Sequence, residues 1–314
     1  MNTVTQARPL QDIDAGLSSL AFVTVSARDP SAAAAFYKRL FGLEDAGSDR
    51  LPGFGAHKIL RMRSGQWLVV TAPEGPDQRE TGVHTAFRVS PAAHAAIAAR
   101  LAAEKVEVLT YLEDRVKEAG ENFYVLDPDG NRIQLVRSAA AISPHGVDAL
   151  DHAVVLSYDM HWAEAFYGED LKMSVESRIG VRTADHSRAR RWAAGEEAMA
   201  PGTRRLDKLY MTMGGQNEVP RANMQVYFTV GDSTFGVYLA TKHQQEPPEE
   251  QIVGTPRTAF ITSRAGLDRL AEVLQSRHRP CTGPIEHPSS SSLAASLYCK
   301  DTSGNFLEFC VPRR

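Results

Sequence analysis

Ser19-Leu-Ala-Phe-Val-Thr-Val-Ser26 and Leu150-Asp-His-Ala-Val-Val-Leu-Ser157 read as one element written twice. Each is a short run rich in β-branched residues, the signature of a buried strand. The first run leads into an Ala-rich helical stretch ending in Phe36-Tyr37, and then into Leu40-Phe41-Gly42-Leu43. The second leads into residues 162–171, a helical stretch that carries Phe166-Tyr167. Strand, helix and aromatic pair therefore recur in order, so the chain is read as two related halves.

The rest of each half follows the same plan. Strand-like segments at residues 66–72 and 224–240 come next. A second strand–helix pair then begins, at residues 84–89 with 92–105 in one half and at 257–262 with 266–277 in the other. Each half closes on a turn before a last strand: Asp127-Pro128-Asp129-Gly130-Asn131 before 132–136, and Asp301-Thr302-Ser303-Gly304-Asn305 before 306–311. Asp, Pro, Gly and Asn supply turn dihedrals that other residues resist. The pattern gives an α+β fold of four strand–helix–strands units. Residues 1–17 are read as a tail, 18–137 and 149–314 as the two domains, and 138–148, with small residues, a Pro and a Gly, as the linker.

Composition agrees with this division. A chain of 314 residues suggests two domains of roughly 150 residues. With 43% hydrophobic and 23% charged residues, disordered and fibrous classes are excluded. A net charge of −3 gives no basic surface for nucleic acid or anionic lipid, so the expected partner is a small molecule. With no leader-like start and no long apolar run, the expectation is a cytoplasmic protein without membrane contact. Pairing of exposed sheet edges into a homo-oligomer stays open. Cys281, Cys299 and Cys310 lack zinc-type spacing and are expected to be buried reduced thiols.

The paired Asp-x-x-Gly-Asn turns and the Phe-Tyr helices resemble those of the vicinal oxygen chelate superfamily, which includes glyoxalase I, bleomycin- and fosfomycin-resistance proteins and extradiol dioxygenases. The resemblance spans most of residues 18–137 and 149–312. It implies βαβββ modules, two of which curl into a cup that holds ligand, and four of which make two tandem domains. It also implies metal ligands on the first strand of a module and on the last strand of a cup. Ferrous iron or manganese held by two His and one carboxylate would keep open positions for substrate oxygens.

Within that resemblance, His152 matches the first His position and Glu308 the carboxylate position. Arg257 stands where the second His is expected, and a guanidinium that stays protonated cannot ligate a metal. In the first half Phe22 and Gln134 occupy ligand positions and only His84 remains, so this half reads as degenerate. His243 is a candidate replacement ligand. Arg257 is also a candidate ion-pair partner for Glu308, since a buried carboxylate needs one. Tyr298 and Tyr238 are candidate acid–base or orienting groups. The longer segment 176–221, rich in Arg, is a candidate lid.

Two pairings of modules remain open. Pairing within each half, as in extradiol dioxygenases, places His152, Arg257 and Glu308 in one cup. Pairing across the halves, as in fused glyoxalases, places His152 with His84, Gln134 and Tyr238. The leading expectation is a metal-dependent extradiol-type dioxygenase acting on an aromatic or polyoxygenated molecule. A metal-free lyase, isomerase or oxygenase using Arg257 and His152 is one alternative, and a ligand-sequestering resistance-type protein is another. No nucleophile elbow or nucleotide-binding glycine motif supports acyl-transfer or nucleotide chemistry.

Overall fold

The computed structural model describes residues 16–47, 51, 54–72, 83–109, 122–179, 225–239, 251, 255 and 258–313. The first half contributes β1 (Ser19–Ser26), α1 (Pro30–Phe41), β2 (Glu44–Asp45), β3 (His57–Arg61) and β4 (Trp67–Thr71). It continues with β5 (Thr85–Val89), α2 (Pro91–Ala103), β6 (Val108–Leu109), β7 (Asn122–Leu126) and β8 (Arg132–Arg137). The second half repeats this with β9 (Ala149–Ser157), α3 (Met160–Glu164, prolonged by a π-helical turn, Ala165–Asp170), β10 (Val175–Ile179), β11 (Gln225–Val230) and β12 (Ser233–Leu239). Then come β13 (Thr258–Ile261), α4 (Arg264–Ser276), β14 (Cys281–Glu286), β15 (Leu293–Lys300) and β16 (Phe306–Pro312). The segment 224–240, which reads as one strand-like stretch, is a hairpin because Gly231 adopts φ 59° and turns the chain between β11 and β12.

Helix starts are repeated as faithfully as the strands. Asp29 and Asp159 cap α1 and α3, each accepting from the two backbone N–H groups that begin the helix. Ser90 and Ser263 cap α2 and α4, each accepting from one backbone N–H, that of Ala93 or Gly266. Such side chains satisfy donors that would otherwise lack an intrahelical partner.

The strands form two eight-stranded sheets, ordered β14-β15-β16-β13-β1-β4-β3-β2 and β10-β11-β12-β9-β5-β8-β7-β6. Each sheet therefore joins one module from each half, with antiparallel seams at β1–β13 and β5–β9. The module pairing runs across the halves. The described strands of residues 149–314 are divided between the two sheets, β9–β12 in one and β13–β16 in the other.

One face of each sheet carries the helices, and Leu20, Val23, Val25, Phe87, Leu150, Val155, Phe260 and Phe309 join the helix side chains in a continuous core. Within each half, the repeated motifs found in the sequence bind one another. The Tyr37 hydroxyl donates to Asp127 Oδ2 at 2.7 Å, and Tyr167 donates to Asp301 Oδ2 at 2.7 Å. Asn131 and Asn305 in the same turns donate to the backbone carbonyls of Ser26 and Leu156, both at 2.7 Å. The helix of one module is thus latched to the last turn of the next, although the two modules lie in different sheets.

The linker is fastened along its length. Asp148 accepts from the backbone of Ile142 and Ser143 and from Arg63. Gly42, with φ 68°, packs so closely against Gly146 that a Cβ on it would come within 2.9 Å of the Gly146 Cα. Val147 N–H donates to the carbonyl of Phe41 at 3.0 Å.

Candidate active site

Because side chains alternate faces along a strand, each curled sheet presents a second, concave face away from the helices. In the first sheet this face is mostly apolar. Phe22 stacks with Trp67 at 6.3 Å between ring centroids and meets Phe54 edge-on at 5.9 Å. Ile59, Val69 and Ala259 complete this buried patch.

Glu308 lies on this first sheet, 1% exposed, and its Oε1 accepts from Ser296 Oγ at 2.6 Å. Ser296 Oγ is in turn 2.8 Å from His287 Nε2. Glu308 Oε2 is buried with no hydrogen-bond partner among the described residues. Burial raises this carboxyl from 4.5 to about 7, against the opposing hydrogen bonds of Ser296 and Tyr298. Tyr298 faces Glu308 across the β15–β16 ladder, and burial together with the Glu308 charge holds its phenol above the ordinary value.

The second sheet has a different concave face. His84, just before β5, and His152, on β9, point at each other with their Nε2 atoms 2.8 Å apart. Both are largely buried, at 6% and 8% exposure. Around them stand Tyr124, Tyr227 and Tyr238: His84 meets Tyr124 at 5.5 Å and Tyr238 at 5.7 Å, and His152 meets Tyr227 at 5.8 Å. The hydroxyls of Tyr227 and Tyr238 are hydrogen-bonded to each other. Gly236 makes room for this pair, since a Cβ there would lie 3.0 Å from the Tyr227 ring and 3.1 Å from Val154.

Gln134 on β8 is level with Ala86, which is level with His152 across the seam, so the three residues share this face. Its Oε1 is buried without a hydrogen-bond partner among the described residues. Behind His152, Asp151 Oδ2 accepts from Nδ1 at 2.9 Å, which fixes the tautomer and aims the Nε2 lone pair into the cup. Asp151 Oδ1 accepts from Arg88 Nε at 3.1 Å. Burial alone would raise the Asp151 carboxyl, but the bond from His152 and the bond and charge of Arg88 hold it below its ordinary value.

The cross-half pairing corrects the expectation that His152 and Glu308 hold one ion. His152 lies on β9 of the second sheet and Glu308 on β16 of the first, so they face different cups. Tyr298 goes with Glu308, and Tyr238 goes with His152. The His84, His152, Gln134 and Tyr238 grouping, one of the two that the sequence left open, is the one that the sheets assemble. Arg257 and His243 lie outside the described residues, as does the candidate lid beyond residue 179. Tyr124 and Tyr227 were not singled out from the sequence; Tyr124 pairs directly with Gln134, and Tyr227 pairs with Gly236, which is level with Val154, two residues along β9 from His152. The three cysteines are unpaired, Cys299 and Cys310 buried and Cys281 partly so.

Among the described residues no three His, Cys, Asp or Glu side chains are grouped to hold a metal ion. In the second cup the third donor is instead an amide. Two imidazole nitrogens, one with its tautomer fixed by a carboxylate, and a buried amide oxygen lacking a partner are a donor set that fits a divalent transition-metal ion. Among the described residues the first cup does not fit one, since Glu308 is accompanied on that face by Phe22, Ser296 and Tyr298, and His287 reaches only Ser296.

Two tandem mixed sheets with helices on one face and a cup on the other define the fold class. Residues 19–135 match the model of the Glyoxalase/Bleomycin resistance protein/Dioxygenase superfamily. That match covers 117 of the 314 residues, in the first half, and the second half repeats the same order of elements. Among solved structures, it is similar to a provisionally assigned dioxygenase from Bacillus subtilis subsp. subtilis str. 168, with TM-score 0.62 and 12% identity, covering 95% of this chain and 86% of that one. It is also similar to glyoxalase I from Zea mays, with TM-score 0.53 and 12% identity, covering 93% of this chain and 92% of that one. At this identity the likeness is one of fold. No curated protein sequence matches the chain. No described helix is long and apolar enough to cross a membrane.

Proposed function

We propose that the chain is a metal-dependent enzyme that moves a proton on a small polyoxygenated molecule bound in the second-sheet cup. The observation that carries this reading is the meeting of His84 and His152, Nε2 to Nε2 at 2.8 Å, on the face shared with the unpartnered amide oxygen of Gln134. These three residues would hold the ion. When bound, it would act as a Lewis acid on a substrate carbonyl or hydroxyl oxygen.

The chain's own groups supply the rest. Asp151 keeps the His152 ring in one orientation and one tautomer. The hydrogen-bonded phenols of Tyr227 and Tyr238 can hold or pass a proton at Oη beside the imidazoles. Tyr124 closes the aromatic wall. Two His with one carboxylate is the arrangement that suits ferrous oxygenases, and here the third position is a neutral amide. That difference favours non-redox isomerase or lyase chemistry over extradiol ring cleavage.

The test is the metal content of protein purified without chelator, followed by reconstitution with manganese, iron, nickel or zinc. About one equivalent is expected in the native chain, lost in His84→Ala and in His152→Ala, and kept in Glu308→Gln. A protein that stays empty with every ion would overturn the metal assignment. It would leave the Asp151–His152 pair as a metal-free general base. Loss of metal in Glu308→Gln with retention in His84→Ala would overturn the site itself.

A further inference from the structure

The two seams align the halves residue by residue. Across β5–β9, Ala86 faces His152, Phe87 faces Leu150 and Arg88 faces Ala149. Across β1–β13, Ala259 faces Phe22 and Phe260 faces Leu20, while Ile261 faces Ser19. His152 therefore corresponds to Phe22, Asp151 to Ala21 and Arg88 to Ile261. The hydrogen-bonded series Arg88–Asp151–His152 in one sheet is replaced by three apolar residues in the other. The fold does not require the polar set.

Arg88, Ala21 and Ile261 also meet at one place. They line a cavity of about 410 Å³ between the starts of β1 and β9 and the hairpin turns β3–β4 and β11–β12. One side of the cavity is apolar, with Trp67, Ile261 and Leu293. The lining also includes Arg88, whose Nε bonds Asp151 and whose Nη2 bonds the backbone carbonyl of Asp232. The Asp232 side chain is the other charged group of the lining, and it is exposed, so solvent screens it.

We propose that this cavity is a binding site for a small organic carboxylate, whose anionic group pairs with Arg88 and whose apolar body lies on Trp67, Ile261 and Leu293. A planar guanidinium suits a carboxylate, and a desolvated apolar wall beside it selects an anion that carries a hydrophobic body. Arg88 then serves two carboxylates, the ligand's and that of Asp151, so occupancy is felt at the His152 ring. The site is distinct from the second-sheet cup, and its ligand binding does not depend on the reaction proposed for that cup.

The test is calorimetric titration of the full chain with benzoate, with the neutral benzyl alcohol and inorganic phosphate as separate arms. Saturable benzoate binding is expected, at least tenfold weaker in Arg88→Ile, the residue that the sister repeat carries at this position. Ile261→Glu, which leaves Arg88 in place and sets a like charge against the ligand, should weaken it as much. Nuclear magnetic resonance of the imidazoles should show the His152 signals shifting on benzoate addition in the native chain and far less in Asp151→Asn. No saturable benzoate binding, equal binding of benzyl alcohol, or undiminished binding in Arg88→Ile or Ile261→Glu would each overturn the site. Phosphate binding without benzoate would overturn the choice of ligand, and unmoved His152 signals the link to the cup.

Discussion

His84 and His152 come from different halves of the chain and bring their Nε2 atoms to 2.8 Å across the β5–β9 seam. The candidate active site is thus built on the line where the two halves pair, and each half supplies one imidazole. A disturbance of the seam removes both at once, whereas a change behind one ring acts on that ring alone.

Asp151→Asn is such a change. An amide accepts less strongly from Nδ1 and can turn its own N–H toward the ring, which frees the imidazole to flip. Metal affinity is expected to fall about 10–100-fold with the fold retained, as for other partners that orient a metal-binding His. Chelator competition on the purified variant measures this.

Glu308→Gln is expected to stabilise the protein at neutral and alkaline pH. The folded-state carboxyl titrates at about 7 and the unfolded one at its ordinary 4.5. Between these values the folded chain holds the proton that the unfolded chain has released, so stability falls as pH rises through this window. The loss amounts to about 3 kcal/mol at most. Denaturant unfolding of the native chain and the variant should therefore differ most above pH 7 and converge below about pH 4.5. A constant difference across that range would count against a buried, unpaired carboxyl.

Tyr37→Phe and Tyr167→Phe each remove a buried hydroxyl that donates to a buried carboxylate. Each should cost about 1–3 kcal/mol, because Asp127 or Asp301 loses one of its bonds while Asn131 or Asn305 keeps the others. The latches belong to different halves and share no partner, so the double variant should show the sum of the two effects in chemical denaturation.

Gly236→Ala tests the phenol pair. The new methyl would press on the Tyr227 ring at 3.0 Å and on Val154 at 3.1 Å, so the ring must give way. A cost of about 1–3 kcal/mol is expected from overpacking. Turnover should fall further than stability does, with metal content unchanged, since Tyr227 stands beside the imidazoles without holding the ion.

Much of the fold was legible because it is local. Strand runs such as Ser19–Ser26, the Phe-Tyr helices and the Asp-x-x-Gly-Asn turns each act within a few residues, and they recur. Short edge strands such as Glu44–Asp45 and Val108–Leu109 left no such trace, since two residues carry no period. Module pairing was illegible for another reason. Whether β9 joins β5 or β13 is a long-range choice that the seam residues do not mark, since Thr85-Ala86-Phe87 and Thr258-Ala259-Phe260 are identical in type. The roles of His152 and Glu308 depended on that choice. Both residues were named from the sequence, but the sheet on which each one lies was not.

The cross-half sheets give the linker a thermodynamic role. Neither half can close a sheet with its own strands: β1–β4 need β13–β16, and β5–β8 need β9–β12. A chain severed between Ser138 and Asp148 would turn an intramolecular association into a second-order one, whose yield rises with protein concentration. In the intact chain the connector holds the two pieces at a fixed effective concentration. The molecule is in this sense a tethered dimer of its own repeats, and its candidate active site behaves as an intersubunit site within a single polypeptide.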